Sequence, residues 1–258
     1  MIDHDIISAV PFSSIYLVKF GKKTHLEEIQ KGSIFLNTIR YFHELEKNAG
    51  FRGQADYYDS CLYISGGSFS FVPENGSAPI SSQISNGRVS LMPDNYIYCL
   101  FKPDKRNIIA TEYNAEESTV TISIGYTEEQ RQTIKRHFPS ADSALVLYQP
   151  KAFIDDVIKA AESLNIQCHY DKVQYYDPKY PPLDMLKKVV EHAAHIAYYK
   201  FEEFSDQQEM RFLFNKTGSK GWKLPISPQN NSHLMSIDNF FNTPMNYTFP
   251  IVRKATDE

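Results

Sequence analysis

The stretch FSDQQEMRFLFN, residues 204–215, sets Gln207, Gln208, Glu209 and Arg211 at the start of a run that otherwise reads as a buried strand. Such groups resist burial unless they are paired or used. Along a strand, residues i and i+2 point to one side, so Gln207 and Glu209 are expected on one face and Gln208 and Met210 on the other. A carboxylate and an amide then converge on one ligand. If that face lines a cleft, the carboxylate stabilises a cationic, oxocarbenium-like sugar while the amide holds the incoming nucleophile. The alternative is an ion pair between Glu209 and Arg211, with Gln207 and Gln208 as solvated strand-start residues.

Other chemistry is sparse. His192 and His195 stand three apart on what reads as one helical face, a spacing compatible with a metal, but no third ligand is evident and packing or surface roles fit better. The chain has no G-x-x-x-x-G-K phosphate loop, no H-E-x-x-H pair and no G-x-S-x-G elbow, which removes the usual sequence support for P-loop hydrolysis, zinc proteolysis and serine hydrolysis.

The elements that would position these residues follow from periodicity and caps. SIYLVKF (14–20) and SIFLNT (33–38) read as strands. Between them a short helix is expected, with Thr24 and Glu27 as a T-x-x-E capping box and Gly32 at its end. IRYFHELEKNAG suggests an amphipathic turn or two. CLYISGGSFSFV reads as a strand or hairpin, and the Ser-, Gly-, Pro- and Asn-rich residues 73–87 as an exposed loop. RVSLM, YIYCLF, STVTISIG, ALVLYQ and CHYDKVQYY are strand-like. Helices are expected over 127–138, where Thr127 and Gln130 have capping-box spacing, over 151–165, and over MLKKVVEHAAHIA. QEMRFLFN, GWKLPI and YTFPIV supply the last strands, with SPQNNSH as a loop. No repeat or sharp change in composition divides the 258 residues, so 1–258 reads as a single α+β domain with strands dominant.

A net charge of −4 with pI near 6.1 advertises no basic surface for nucleic acid. Cys61, Cys99 and Cys168 are widely spaced without a C-x-x-C, which argues against a disulfide framework or thiolate zinc site and suits a reducing compartment. The start MIDHDIISAV lacks a basic n-region and long apolar run. No stretch approaches the roughly 20 apolar residues that span a bilayer, so a cytoplasmic protein is expected.

The order of four stretches resembles the ADP-ribosyltransferase superfamily, nearest to bacterial abortive-infection-type proteins related to it. IYLVKF is similar to the first strand, with Lys19 where the family carries a histidine or arginine and Tyr16 beside it. HLEEIQKGSIFLNTIRYF resembles the following helix, glycine and second strand, with Asn37, Thr38, Tyr41 and Phe42 at the mouth. RGQADYYDS resembles the polar turn after it, and KFEEFSDQQEMRF the late strand with its Q-x-E signature at Gln207 and Glu209. These stretches cover 46 of the 258 residues; no S-T-S middle strand is present.

The resemblance implies a split two-sheet core with peripheral helices and NAD as substrate. Nicotinamide would stack on Tyr41 or Tyr16, and Lys19 and Arg52 would meet the pyrophosphate. Glu209 would stabilise the cationic ribose, and Gln207 would position the acceptor. It further implies a toxin or phage-defence effector that modifies a nucleic acid or a protein, with an antitoxin or other partner protein and no membrane. A catalytically degenerate nucleotide- or partner-binding module and an NAD glycohydrolase are the alternatives. Each residue also has a plainer role: Lys19 on a strand surface, Tyr16 and Tyr41 in the core, Arg52 paired with Asp56.

Overall fold

The computed structural model describes residues 15–49, 61–71, 80–91 and 93–250, with 46–49, 61–71 and 80–90 described by backbone alone. In chain order the elements are β1 (Leu17–Gly21), α1 (Lys23–Gln30), β2 (Ser33–Thr38), α2 (Ile39–Ala49), β3 (Cys61–Phe71), β4 (Ile80–Ser90) and β5 (Asn95–Phe101). Next come β6 (Ile108–Asn114), β7 (Thr119–Ile124), α3 (Glu128–His137), β8 (Ser143–Leu147), α4 (Pro150–Glu162), β9 (Cys168–Lys172) and β10 (Gln174–Tyr176). The remainder is α5 (Leu183–Glu191), β11 (Tyr199–Phe201), β12 (Glu209–Thr217), β13 (Trp222–Pro225), β14 (Ser232–Ser236), α6 (Ile237–Asn242) and β15 (Met245–Pro250). Three 3-10 segments, Lys105–Asn107, Ala193–Tyr198 and Glu202–Gln207, join them. Helix and strand take near-equal shares, about 36% and 37%, in several sheets, which makes the chain α+β.

Contacts divide the chain into two compact units. The first comprises residues 1–34, 99–160 and 224–258; the second comprises 35–98 and 161–223.

In the first unit β8 lies between β1 and β14, antiparallel to both, with Val18 opposite Val146 and Leu234 opposite Leu145. All five residues of β8, SALVL, are buried, as expected of a central strand covered on both faces. Phe20 centres an aromatic core, with ring centroids 5.4–6.1 Å from those of Phe101, Phe138, Phe240 and Phe241. Burying each such ring contributes on the order of 2 kcal/mol. A three-stranded antiparallel sheet, ordered β15-β7-β6, packs Ile122 and Ile124 into the same core and carries a bulge in β6 between Ile108 and Ala110. Gly32 closes α1 at φ +95°, and a Cβ there would sit 2.5 Å from the Ile226 carbonyl oxygen, so both conformation and space require glycine.

In the second unit β12 runs antiparallel to β9, with Phe212 opposite Tyr170, and Asn95 of β5 donates to the Phe214 carbonyl at 3.0 Å. The end of β2 pairs with β5, Asn37 opposite Ile97 and Thr38 opposite Tyr96. β10 and β11 are parallel, with Tyr175 opposite Lys200. β3 and β4 form a long antiparallel hairpin. Trp222 packs among Tyr96, Phe214 and the ammonium of Lys216 at 5.5, 6.0 and 5.3 Å.

Several expectations are corrected. Residues 80–87, read as loop from their composition, are strand, because cross-strand pairing with β3 overrides a weak local preference; 73–79 lie outside the described residues. The Thr24–Glu27 box does not form: α1 starts two residues earlier, behind Lys22, which makes no side-chain cap. The Thr127–Gln130 box does form, in both directions. The helix expected over MLKKVVEHAAHIA stops at His192, whose extended backbone separates α5 from a 3-10 segment. β6, β11, β14 and α6 are further elements of the fold.

Candidate functional site

β12 does not begin with Gln207. That residue ends the 3-10 segment Glu202–Gln207, and Gln208 follows in the left-handed region, φ 43° and ψ 49°, before the strand starts at Glu209. Strand alternation therefore does not relate Gln207 to Glu209. They meet through the bend at Gln208, on the ammonium of Lys200.

Lys200 Nζ donates to Gln207 Oε1 at 2.6 Å and to Glu209 Oε1 at 2.7 Å. The other carboxylate oxygen, Oε2, accepts from Arg211 Nε at 2.7 Å, and Arg211 Nη1 donates to the Ala197 carbonyl at 2.6 Å. Residue exposures are 8% for Glu209, 4% for Lys200, 2% for Arg211 and 1% for Gln207, so this is a desolvated charge network. Burial alone would raise the Glu209 pKa, but the charges of Arg211 and Lys200 and their hydrogen bonds outweigh it and hold the carboxyl well below its ordinary range.

Neighbouring elements fix the network from several directions. Lys200 stands on β11 opposite Tyr175, and its ammonium lies 5.6 Å from the Phe204 ring centroid. The Glu209 amide donates to the Tyr175 hydroxyl at 2.9 Å, while its carbonyl accepts from the Val173 amide at 2.9 Å. Five stretches of the second unit thus converge on the Lys200–Glu209–Arg211 network: the β9–β10 junction, β10, the Ala193–Tyr198 segment, β11 and the turn into β12.

Glu209 and Arg211 adopt the ion pair that their spacing allowed, and Gln207 and Glu209 converge as well, with Lys200 between them. Lys200 is the member that strand patterning did not single out. Its only sequence signal is one cation within the apolar run IAYYKF.

Asn37 and Thr38 end β2, and the Thr38 hydroxyl accepts from the Tyr41 amide at 3.1 Å, capping the start of α2. The Tyr41 ring is 43% exposed and meets Phe42 edge-on at 5.5 Å. In the first unit, Lys19 donates to the Cys99 carbonyl at 2.6 Å. Tyr16 is 1% exposed: its ring stacks on Tyr247 at 6.0 Å, and its hydroxyl and that of Tyr126 lie 2.8 Å apart. It is a core residue, and burial pushes its phenol pKa upward. Arg52 and Asp56 lie outside the described residues.

The His192 and His195 rings are 5.6 Å apart, and no cluster of three or more His, Cys, Asp or Glu side chains suited to a metal exists among the described residues. Nor, among them, is any helix long and apolar enough to cross a membrane. No protein-family model, curated protein or solved structure matches the chain.

Proposed function

We propose that this chain is an ADP-ribosyltransferase-like module that binds an NAD-class dinucleotide without cleaving it. The ligand class rests on the ordered resemblance of the first strand, the helix–glycine–strand unit and the Q-x-E stretch. The observation that carries the non-catalytic reading is the commitment of both Glu209 oxygens, one to Lys200 and one to Arg211, in a residue only 8% exposed. A cationic ribosyl centre would have to compete for this buried anion with two adjacent cations, whose charges already offset most of its field.

A second reading, NAD-dependent transfer of ADP-ribose to a nucleic acid or protein, is favoured by one observation: Gln207 and Glu209 meet at a single donor, Lys200 Nζ. A substrate hydroxyl that displaced this ammonium would find the amide and carboxylate already in place. In that reading the bond between nicotinamide and ribose breaks, nicotinamide leaves with the bonding pair, and the acceptor's nucleophile closes on the ribose carbon.

Titration calorimetry with NAD, run beside a nicotinamide-release assay with cell extract as acceptor source, separates the readings. Heat of binding without release is the expected result. Release that disappears in Glu209→Gln, with the fold intact by circular dichroism, establishes the transferase; absence of both binding and release removes the dinucleotide from the account.

A further inference from the structure

We propose that the outward face of β2 and β13 binds single-stranded nucleic acid, with a base stacked on Phe35 and phosphates on Lys220 and Lys223. β13 pairs with β2. On β2, Phe35 is 54% exposed between the buried Ile34 and Leu36. On β13, Lys223 is exposed between the buried Leu224 and Trp222, whose ring turns toward Tyr96 and Phe214. Strand alternation therefore directs Phe35 and Lys223 outward from adjacent strands.

The exposed ring has a built seat. A Cβ at Gly221 would overlap Phe35 Cζ, so the tip of the ring fills space that any other residue at 221 would need. A Cβ at Gly218 would likewise overlap the Tyr96 hydroxyl, which donates to the Lys220 carbonyl at 2.6 Å. The Gly218 amide donates to the Asp94 carbonyl at 3.0 Å. Residues 218–221, GSKG, are thus clamped between two aromatic side chains, and Lys220 is presented from an anchored backbone next to the seat of Phe35.

Charge selects the occupant. The chain carries −4 overall, yet no Asp or Glu stands between Glu209 and Asp238, and neither β2 nor β5 holds a charged residue. Asp94, ahead of β5, is already paired with Arg40 at 2.6 Å. Lys220 and Lys223 have no carboxylate partner among the described residues. Carboxylates of an acidic peptide would meet the lysines and leave the ring unused, and a duplex keeps its bases stacked inward. A single strand supplies both a free base face and phosphates.

Fluorescence anisotropy of a labelled oligouridylate of about 12 nucleotides, titrated with the full chain over a salt series, tests the surface. NAD is left out, so the outcome is independent of the dinucleotide reading. Wild type should bind, more weakly as salt rises. Phe35→Leu should weaken binding roughly tenfold with the salt slope unchanged. Gly221→Ala, which unseats the ring without touching a charge, should act in the same direction. Lys220→Gln with Lys223→Gln should lower the log–log salt slope by about 1.4. Lys216, likewise without a carboxylate partner among the described residues but set 5.3 Å from the Trp222 ring centroid, is the control, and Lys216→Gln should leave affinity nearly unchanged. With every variant folded by circular dichroism, four results overturn the proposal: no binding at low salt, undiminished binding by Phe35→Leu, equal affinity for a duplex of the same length, or a loss in Lys216→Gln as large as in the double lysine variant. Capture of phosphatidylserine vesicles without the oligonucleotide assigns the patch to a membrane and overturns it too.

Discussion

Glu209→Gln changes almost no volume and removes one charge, which makes it a direct measure of the buried network. In the native arrangement Oε1 and Oε2 each accept from a cation at 2.7 Å. Glutamine keeps one acceptor and turns the other position into a donor that faces either Lys200 or Arg211. Breaking one buried ion pair from one side costs about 3–5 kcal/mol, and because Glu209 serves two cations the loss should fall at about 4–5 kcal/mol. For a chain of this size each kcal/mol shifts the melting temperature by about 2–4 °C, so a drop of roughly 8–20 °C is expected at neutral pH. The assay is a thermal melt followed by circular dichroism from pH 7 down to pH 3. Since the folded-state pKa of Glu209 lies below its ordinary value of 4.5, its contribution is fully present above about pH 4.5 and is lost as pH falls toward the folded pKa. The gap between wild type and Glu209→Gln should therefore narrow on acidification. A drop under about 1 kcal/mol at pH 7, typical of a surface pair, would refute the claim that this carboxylate is desolvated and doubly paired.

Two local predictions follow from backbone and cap geometry. Gly32→Ala should destabilise by about 2 kcal/mol or more in chemical denaturation, since alanine meets both a positive φ and the Ile226 carbonyl oxygen. Thr127→Ala should cost about 1 kcal/mol in the same assay because it removes a formed capping box, whereas Thr24→Ala should be nearly neutral, its box being unformed.

Much of the fold was legible wherever a local rule and the tertiary environment agree. SIFLNT spans β2 residue for residue, and α3 starts behind the capping box read from Thr127 and Gln130. Legibility failed where partners distant in sequence decide. Residues 80–87 have the composition of a loop and become strand because β3 pairs along them. β6 and β14, with mixed polar and apolar residues, gain strand geometry from β7 and β8.

For the candidate site, the meeting of Gln207 and Glu209 was anticipated from spacing, but on a strand rule that does not apply. Their junction depends on a left-handed residue other than glycine, Gln208, which residue type does not reveal. Lys200 was hidden for another reason: nothing in a three-residue strand indicates which distant carboxylate will neutralise a lysine within it. Tyr16 takes its plainer role, in the core, where its neighbours Tyr126 and Tyr247 come from widely separated parts of the chain.

The chain's single tryptophan, Trp222, falls in the second unit, sandwiched by Tyr96, Phe214 and Lys216. Excitation at the red edge of the indole band consequently reads one half of the molecule and leaves the other silent. A denaturation curve recorded by that emission, overlaid on one from far-ultraviolet ellipticity, tells whether the halves melt in concert or in succession, with no label attached.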